Sequence, residues 1–108
     1  MDKKELLILK PFVKATFETG LQLDVLAIVY KQSNLDFSCS QIAGLLNDSE
    51  ENVLHILRKF EKHGLVQLKS SHSVRYSPKN TLTSALTNLL MKNFPKQRLQ
   101  ITRLIYED

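Results

Sequence analysis

The sequence has little of several features on which particular classes of protein depend. It contains one cysteine, Cys39, so it cannot form an internal disulfide, and we expect a protein of the reducing cytoplasm. No run approaches the roughly 18 apolar residues that a membrane span needs. The short apolar run at 6–9 is followed by Lys10 and Pro11 and lacks a cleavage pattern. We therefore expect neither a membrane segment nor a signal peptide.

Signatures of catalysis and of cofactor binding are missing as well. The sequence contains no G-x-x-x-x-G-K-[ST] or G-x-G-x-x-G phosphate loop and no G-x-S-x-G nucleophile elbow. Its histidines, His55, His63 and His72, have no cysteine or carboxylate beside them at the spacing that we expect of metal ligands. We therefore expect no enzyme, no cofactor and no metal site. We interpret His63 as a cationic group near a helix C-terminus.

What the sequence does have is an uneven distribution of charge. Its 108 residues suit one domain with a modest core. Residues 1–57 contain five lysines and eight acidic residues, whereas residues 58–103 contain ten lysines and arginines and one acid, Glu61. A basic half of this kind favours a polyanionic partner, because phosphates neutralised by lysine and arginine release bound counterions. The alternative is a basic surface that contacts only solvent.

The most informative stretch, residues 38–64, predicts two short helices joined by a turn. Ser38 and Gln41 have the spacing of a capping box, in which each side chain satisfies a free backbone N–H of the first turn. Phe37 and Ile42 have the spacing of a hydrophobic staple. The apolar face of this first helix would consist of Ile42, Leu45 and Leu46.

The second helix of this stretch has start and stop signals of its own. Asn47 and Asp48 are turn residues, and Ser49 is a candidate N-cap. Gly64 would supply the left-handed residue after the helix, with Leu65 folding back on the last turn. The buried face would carry Val53, Ile56, Leu57 and Phe60. The pattern therefore predicts a helix-turn-helix.

A β-hairpin is predicted directly after the second helix. The runs 65–69 and 73–77 favour strands around a turn at 70–72, and Pro78 ends the second run. With this hairpin, residues 22–78 resemble the winged helix-turn-helix domains of MarR-type and ArsR-type transcription regulators. The resemblance covers roughly half the chain and depends on Q-I-A-x-L-L at 41–46, the V-x-x-x-L repeat from Val53, and F-E-K-H-G-L-V at 60–66.

The resemblance implies a mainly α protein with a small β-wing, an α+β winged helix-turn-helix that binds double-stranded DNA and regulates transcription. Residues 50–63 would be the recognition helix and 65–77 the wing, joined by a short third strand at 36–38. Asn52 could pair with adenine, while Arg58, Lys59 and Lys62 suit phosphates. The implied DNA-binding residues are Asn52, His55, Arg58, Lys59, Lys62, Lys69, His72 and Arg75.

The start of the predicted recognition helix departs from the family pattern, which usually has small polar or basic residues there. Here Glu50 and Glu51 favour the helix dipole but repel phosphate, and Leu54 replaces a polar residue. These three residues leave open an alternative, a winged helix that docks a partner protein and does not bind DNA. A third option is a sensor that uses an interhelical pocket or Cys39, whose thiol pKa a helix N-terminus could lower. A small, half-buried Cys39 is the simpler interpretation.

The termini add helices beyond what a small winged domain needs. Residues 1–20 would form a helical appendage, with Pro11 as the first residue of a helix that ends at Gly20. Residues 21–79 would form the winged domain, whose first helix is expected at 22–33. Residues 80–108 would form two helices that are broken at Phe94–Pro95. By resemblance, such terminal helices build a homodimer, and the alternative is that they fold back over a monomer.

Overall fold

The computed structural model describes residues 1–33, 35–70 and 72–107 and is mainly helical with a small antiparallel sheet. Its elements are α1 (Lys3–Thr16), α2 (Gly20–Lys31), β1 (Phe37–Ser38), α3 (Cys39–Leu46), α4 (Glu50–Lys62), β2 (Val66–Leu68), β3 (Ser73–Tyr76) and α5 (Thr81–Tyr106). The predicted α+β class is therefore confirmed. Asn34, Ser71 and Asp108, which the predictions included, lie outside the described residues.

The sheet has the strand order β1-β3-β2, and both pairings are antiparallel. Val66 lies opposite Tyr76 and Leu68 opposite Val74, so β2 and β3 form the predicted hairpin in a shorter version. The predicted third strand is confirmed too, because Phe37 pairs with Val74 on the other edge of β3. The sheet therefore ties the segment before α3 to the segment after α4.

The local signals around α3 and the start of α4 are confirmed in detail. Ser38 Oγ accepts from Gln41 N at 3.0 Å, and Gln41 Oε1 accepts from Ser38 N at 2.9 Å, which completes the capping box. Asn47 ends α3 in the left-handed conformation, and Ser49 caps α4. One expectation is wrong: Leu45 is 66% exposed. The buried face of α3 consists instead of Cys39, Ile42 and Ala43.

The end of α4 has the backbone hydrogen bonds of a Schellman motif. Leu65 N donates to Phe60 O and Gly64 N donates to Glu61 O, both at 3.0 Å. Gly64 has φ +73°, and a Cβ added to it would lie 2.3 to 2.8 Å from the Lys79 side chain. Glycine is therefore needed here both for the left-handed turn and for the close approach of the chain after the hairpin.

The core is built from buried residues of all five helices and of β2 and β3. All four apolar residues predicted for α4 are buried: Val53, Ile56, Leu57 and Phe60. Phe17, at the end of α1, packs edge-on against Phe60 with ring centroids 5.7 Å apart. This aromatic contact joins the N-terminal helix to the segment that the sequence describes best.

The N-terminal helix differs from its prediction, because Pro11 lies inside one continuous helix instead of starting a second. Proline cannot donate the hydrogen bond to the carbonyl of Leu7. Pro11 and Leu7 are both exposed, so water can solvate this carbonyl. Gly20 was also placed wrongly: α1 ends at Thr16, and Gly20 opens α2 behind the N-cap Thr19, so α2 begins two residues earlier than expected.

The C-terminal segment, α5, consists of two helical parts that meet at a kink at Gln97. Two helical parts therefore occur as predicted, but they meet two residues beyond Pro95 and not at the expected break at Phe94–Pro95. α5 packs along α1: Lys10 pairs with Glu107 at 3.5 Å and Lys92 with Glu5 at 3.8 Å. The N-terminal helix therefore contacts the C-terminus of its own chain.

None of the helices in the described ranges combines the length and the apolar content that a membrane span requires.

Candidate nucleic-acid interface

The outward side of α4 carries a row of side chains at helical spacing, here named the α4 stripe. Its members are Glu51, His55, Arg58 and Lys62, all of them exposed. Side chains three and four residues apart lie next to each other on a helix, so the row is continuous. Arg58 and Lys62 form no ion pair with any residue in 1–33, 35–70 or 72–107. The stripe therefore begins with an acidic residue and ends with two cations that form no ion pair within those ranges.

Asn52 lies beside the first turn of the stripe, and Asp48 orients its side chain. Asn52 Nδ2 donates to Asp48 Oδ2 at 3.0 Å, while the Asn52 backbone N–H donates to Ser49 Oγ at 3.1 Å. A primary amide has two N–H donors and one carbonyl oxygen, so one donor and the acceptor stay available. This is what bidentate pairing with adenine requires.

Lys59 lies on the flank of α4 and is held by two residues near the start of α2. Its ammonium donates to Glu18 Oε1 at 2.8 Å and to Gln22 Oε1 at 3.2 Å. Gln22 Oε1 also accepts from the Glu18 backbone N–H at 2.9 Å, so the three residues form one unit, the Glu18 cluster. The hydrogen bond and charge of Lys59 lower the pKa of the Glu18 carboxyl. Lys59 is therefore already paired within the chain.

Two hairpin cations are paired in the same way. Lys69 Nζ lies 2.8 Å from Asp36 Oδ2, and Arg75 Nε lies 2.8 Å from Asp36 Oδ1. The hydrogen bond from Lys69 is the largest cause that lowers the pKa of the Asp36 carboxyl, and Arg75 adds to it. These three residues are named the Asp36 cluster. Glu18, Gln22 and Asp36 were absent from the predicted site, because they lie 33 to 41 residues from their partners and no local spacing links them.

The turn of the hairpin lies beside the start of α4. His72 adopts φ +59°, and its carbonyl accepts from Cys39 N at 3.1 Å, which ties the turn to α3. A shallow depression of about 220 Å³ is lined by Cys39, Glu50, Glu51, Leu54 and His72. Glu61 accepts from Leu68 N at 3.0 Å, so the end of α4 is bonded to β2. The two acids, Leu54 and the predicted hairpin residue His72 thus share one surface, the hairpin depression.

The environments of Cys39 and His63 contradict two electrostatic expectations. Burial, with a further contribution from Glu50, raises the pKa of the Cys39 thiol, so no reactive thiolate is favoured at this helix start. Burial also lowers the pKa of the His63 imidazole, and the nearby charges of Lys59 and Lys79 lower it further. The surroundings of this half-buried residue therefore favour the neutral imidazole and count against its interpretation as a cation.

An interhelical groove does occur, between α2, β3 and α5, with a volume of about 570 Å³. Tyr30 and Tyr76 form its floor, with ring centroids 5.2 Å apart, and Tyr30 Oη donates to Asn88 Oδ1 at 2.8 Å. Burial raises the pKa of the Tyr76 phenol, although the neighbouring hydroxyls of Thr87 and Ser84 act in the opposite direction. The groove lies apart from the α4 stripe, since no residue lines both.

Comparisons with protein-family models, with curated proteins and with solved structures find no match for this chain. The function of the chain is therefore inferred from the α4 stripe, the Glu18 cluster, the Asp36 cluster and the hairpin depression.

Proposed function

We propose that this chain is a winged helix-turn-helix protein of the MarR or ArsR kind that binds double-stranded DNA and regulates transcription. In this proposal α3 and α4 are the helix-turn-helix, β2 and β3 are the wing, and β1 completes the small sheet. One observation carries it: α4, which bears the exposed stripe, contacts the hairpin, which bears Lys69, His72 and Arg75. The contact consists of the hydrogen bond from Leu68 N to Glu61 near the end of α4 and of the hairpin depression near its start. In this proposal, one duplex contacts both the stripe and the hairpin cations.

The dimensions of α4 fit such a role. An α-helix with its side chains is about 10–12 Å in diameter, and the major groove of B-DNA is about 12 Å wide. With α4 in the groove, Asn52 near the start of the helix would contact a base edge. Arg58 and Lys62 near its end would contact phosphates. The hairpin would bring Lys69, His72 and Arg75 to the flanking backbone or minor groove.

A homodimer completes the proposal. Several large apolar side chains of the terminal helices are exposed: Leu7, Ile8, Leu82, Leu99 and Tyr106. Exposed apolar residues on two helices that already pack together favour association with a second copy. Two copies would then place their recognition helices one duplex turn, about 34–36 Å, apart. Such a regulator would work in the cytoplasm, where bacterial and archaeal DNA lies, and it needs neither a cofactor nor a reaction.

The test is binding of fluorescent duplex DNA across a salt series, measured by anisotropy, with light scattering on the same sample. We expect Arg58→Ala and Lys62→Ala to weaken binding to every sequence and to reduce the salt slope by about one each. Lys96→Ala is the control, since this exposed lysine lies on α5, away from the interface. Asn52→Ala should instead relax preference at one base pair.

Three results would contradict the proposal or a part of it. Absence of duplex binding by the wild-type chain even at low salt would remove the DNA-binding role altogether. Equal losses in Lys96→Ala and Arg58→Ala would show that net charge alone attracts DNA, with no part for the α4 stripe. A monomer at micromolar concentration would remove the dimer and leave the interface to be tested as a single unit.

The hairpin depression favours a second candidate function, a winged helix that docks a partner protein. Glu50, Glu51 and Leu54 form an acidic and apolar surface that suits a basic, amphipathic segment better than phosphate. Replacing Glu50 and Glu51 with lysine should strengthen non-specific DNA binding whether the natural partner is DNA or a protein. The reason is that two positive charges replace two negative ones on this surface. Loss of cellular function in this double variant, despite stronger DNA binding, would favour the protein partner.

A further inference from the structure

The two basic clusters of the interface share a feature that the proposed function does not require. In each, a carboxylate oxygen lies 2.8 Å from the cation, which is the distance at which a phosphate oxygen would bind. Lys59 is paired with Glu18, and Lys69 and Arg75 share Asp36. Arg58 and Lys62, by contrast, have no carboxylate partner in the described parts of the chain.

Both carboxylates are placed so that they can leave. Glu18 lies between α1 and α2, outside either helix, and its side chain is 74% exposed. Asp36 lies just before β1 and is 33% exposed, while its cations Lys69 and Arg75 are 41% and 45% exposed. Ion pairs that water reaches contribute little to folding stability, so their exchange for a phosphate costs little. The cations themselves are held in place, because Gln22 also binds Lys59 and the strand pairing positions Arg75.

We propose that Glu18 and Asp36 occupy two backbone-phosphate positions of the bound duplex and that binding displaces them. The inference rests on the proposed function and deepens it, since it assigns two phosphate subsites. It also implies that the two internal carboxylates lower the affinity for duplex DNA. Phosphate of the duplex replaces an internal carboxylate at Lys59 on one side of α4 and at Lys69 and Arg75 on the other. Non-specific DNA is held weakly, because only a well-seated duplex offers phosphates at both positions.

The test compares duplex affinity in charge-matched variants. Glu18→Gln and Asp36→Asn each remove one negative charge from an interface cluster and keep the shape of the side chain. Glu5→Gln and Asp24→Asn are the controls, since each removes the same charge from an ion pair with α5. We expect the interface variants to bind duplex roughly two- to fivefold more tightly than the controls, as the loss of an exposed ion pair implies. Their salt slope should steepen by up to about one.

A second measurement needs no substitution. Side-chain carboxyl carbons of the wild-type chain can be followed by NMR during a pH titration, with and without a short duplex. Displacement predicts that the lowered pKa values of Glu18 and Asp36 rise when duplex is added, because both carboxyls lose their cations to phosphate. The signals of Glu5 and Asp24, whose ion-pair partners lie on α5, are the internal reference.

The outcomes are distinguishable. Tighter binding by Glu18→Gln and Asp36→Asn than by the controls, with shifted titrations, supports the inference. If the wild-type chain binds duplex but all four variants gain affinity equally, the proposed displacement of Glu18 and Asp36 is wrong. The same holds if the titrations of Glu18 and Asp36 do not shift on addition of duplex. In both cases the DNA-binding function itself stands. A chain that binds no duplex at low salt in any variant overturns the proposed function and this inference with it.

Discussion

Helices α4 and α5 each bury an apolar face, but they differ in length, in regularity and in the contacts that hold them. α4 has 13 residues, a side-chain cap at Ser49 and a glycine stop after His63, and both signals are local. α5 has 26 residues, contains Pro95 and is kinked at Gln97, and its ion pairs reach back to α1. Both helices could be predicted from the sequence, since each begins at a local side-chain cap, whereas the packing of α5 along α1 could not.

The exposed sides of these helices differ as well. α4 exposes a charged stripe, whereas α5 exposes Leu82, Leu99 and Tyr106. Phosphate and apolar protein surface are the partners that these two chemistries favour. In the proposal these two surfaces have separate tasks, since α4 would bind a duplex and the terminal helices would bind a second copy.

The largest expected effect concerns the aromatic contact between α4 and the end of α1. Phe60→Ala should lower the free energy of unfolding by about 3–5 kcal/mol, because Phe60 is fully buried and packs on Phe17. Leu99→Ala, at a side chain that is 65% exposed, should change the stability of the monomer by less than about 0.5 kcal/mol. Urea denaturation at low protein concentration measures both. A comparable loss in Leu99→Ala would show that α5 contributes to stability through that face.

The next effect concerns the prolines of the terminal helices. Pro11→Ala should raise the free energy of unfolding by about 2 kcal/mol, because the new N–H can bond to the Leu7 carbonyl within a continuous helix. Pro95→Ala should give a smaller gain, because the kink at Gln97 directs the end of α5 along α1. Thermal denaturation of both variants tests this order. Equal gains would mean that the kink is not needed for packing.

A smaller effect is expected where the end of α4 depends on glycine. Gly64→Ala should cost about 1–2 kcal/mol, since alanine is strained at φ +73° and its Cβ would press on Lys79. Gly44→Ala is the matched control: nothing lies within 4 Å of its added Cβ, and alanine should stabilise α3 by about 0.5–1 kcal/mol. Opposite signs in urea denaturation would confirm the local stop signal, and a neutral Gly64→Ala would refute it.

The smallest effect is the response of stability to pH between 7.5 and 5.5. The pKa of His63 is lowered below its ordinary 6.5 in the folded chain, mainly by burial. The unfolded chain therefore takes up a proton first as the pH falls, and stability decreases as the pH drops below about 6.5. His63→Gln should flatten this part of the profile in denaturation experiments at several pH values. An unchanged slope in the variant would assign the effect to another group.

Prediction from the sequence succeeded where the determining interaction spans a few residues. The capping box of Ser38 and Gln41, the cap at Ser49 and the stop at Gly64 are all confirmed, as is the buried face of α4. It failed at Pro11, because the penalty for a proline in a helix depends on whether water or protein surrounds the unpaired carbonyl. It failed at Leu45 and His63, because exposure depends on which neighbours cover a helix.

The sequence by itself thus determined α3, α4, the hairpin and the uneven charge, because backbone caps, turn residues and helical periodicity act over three to seven positions. Only the tertiary structure decided that α1 packs along α5, that Glu18 reaches Lys59 and that Asp36 holds Lys69 and Arg75. These contacts join residues that are 33 or more positions apart. Exposed lysines and carboxylates have many partners of similar energy, and the fold selects among them through the positions of the backbone.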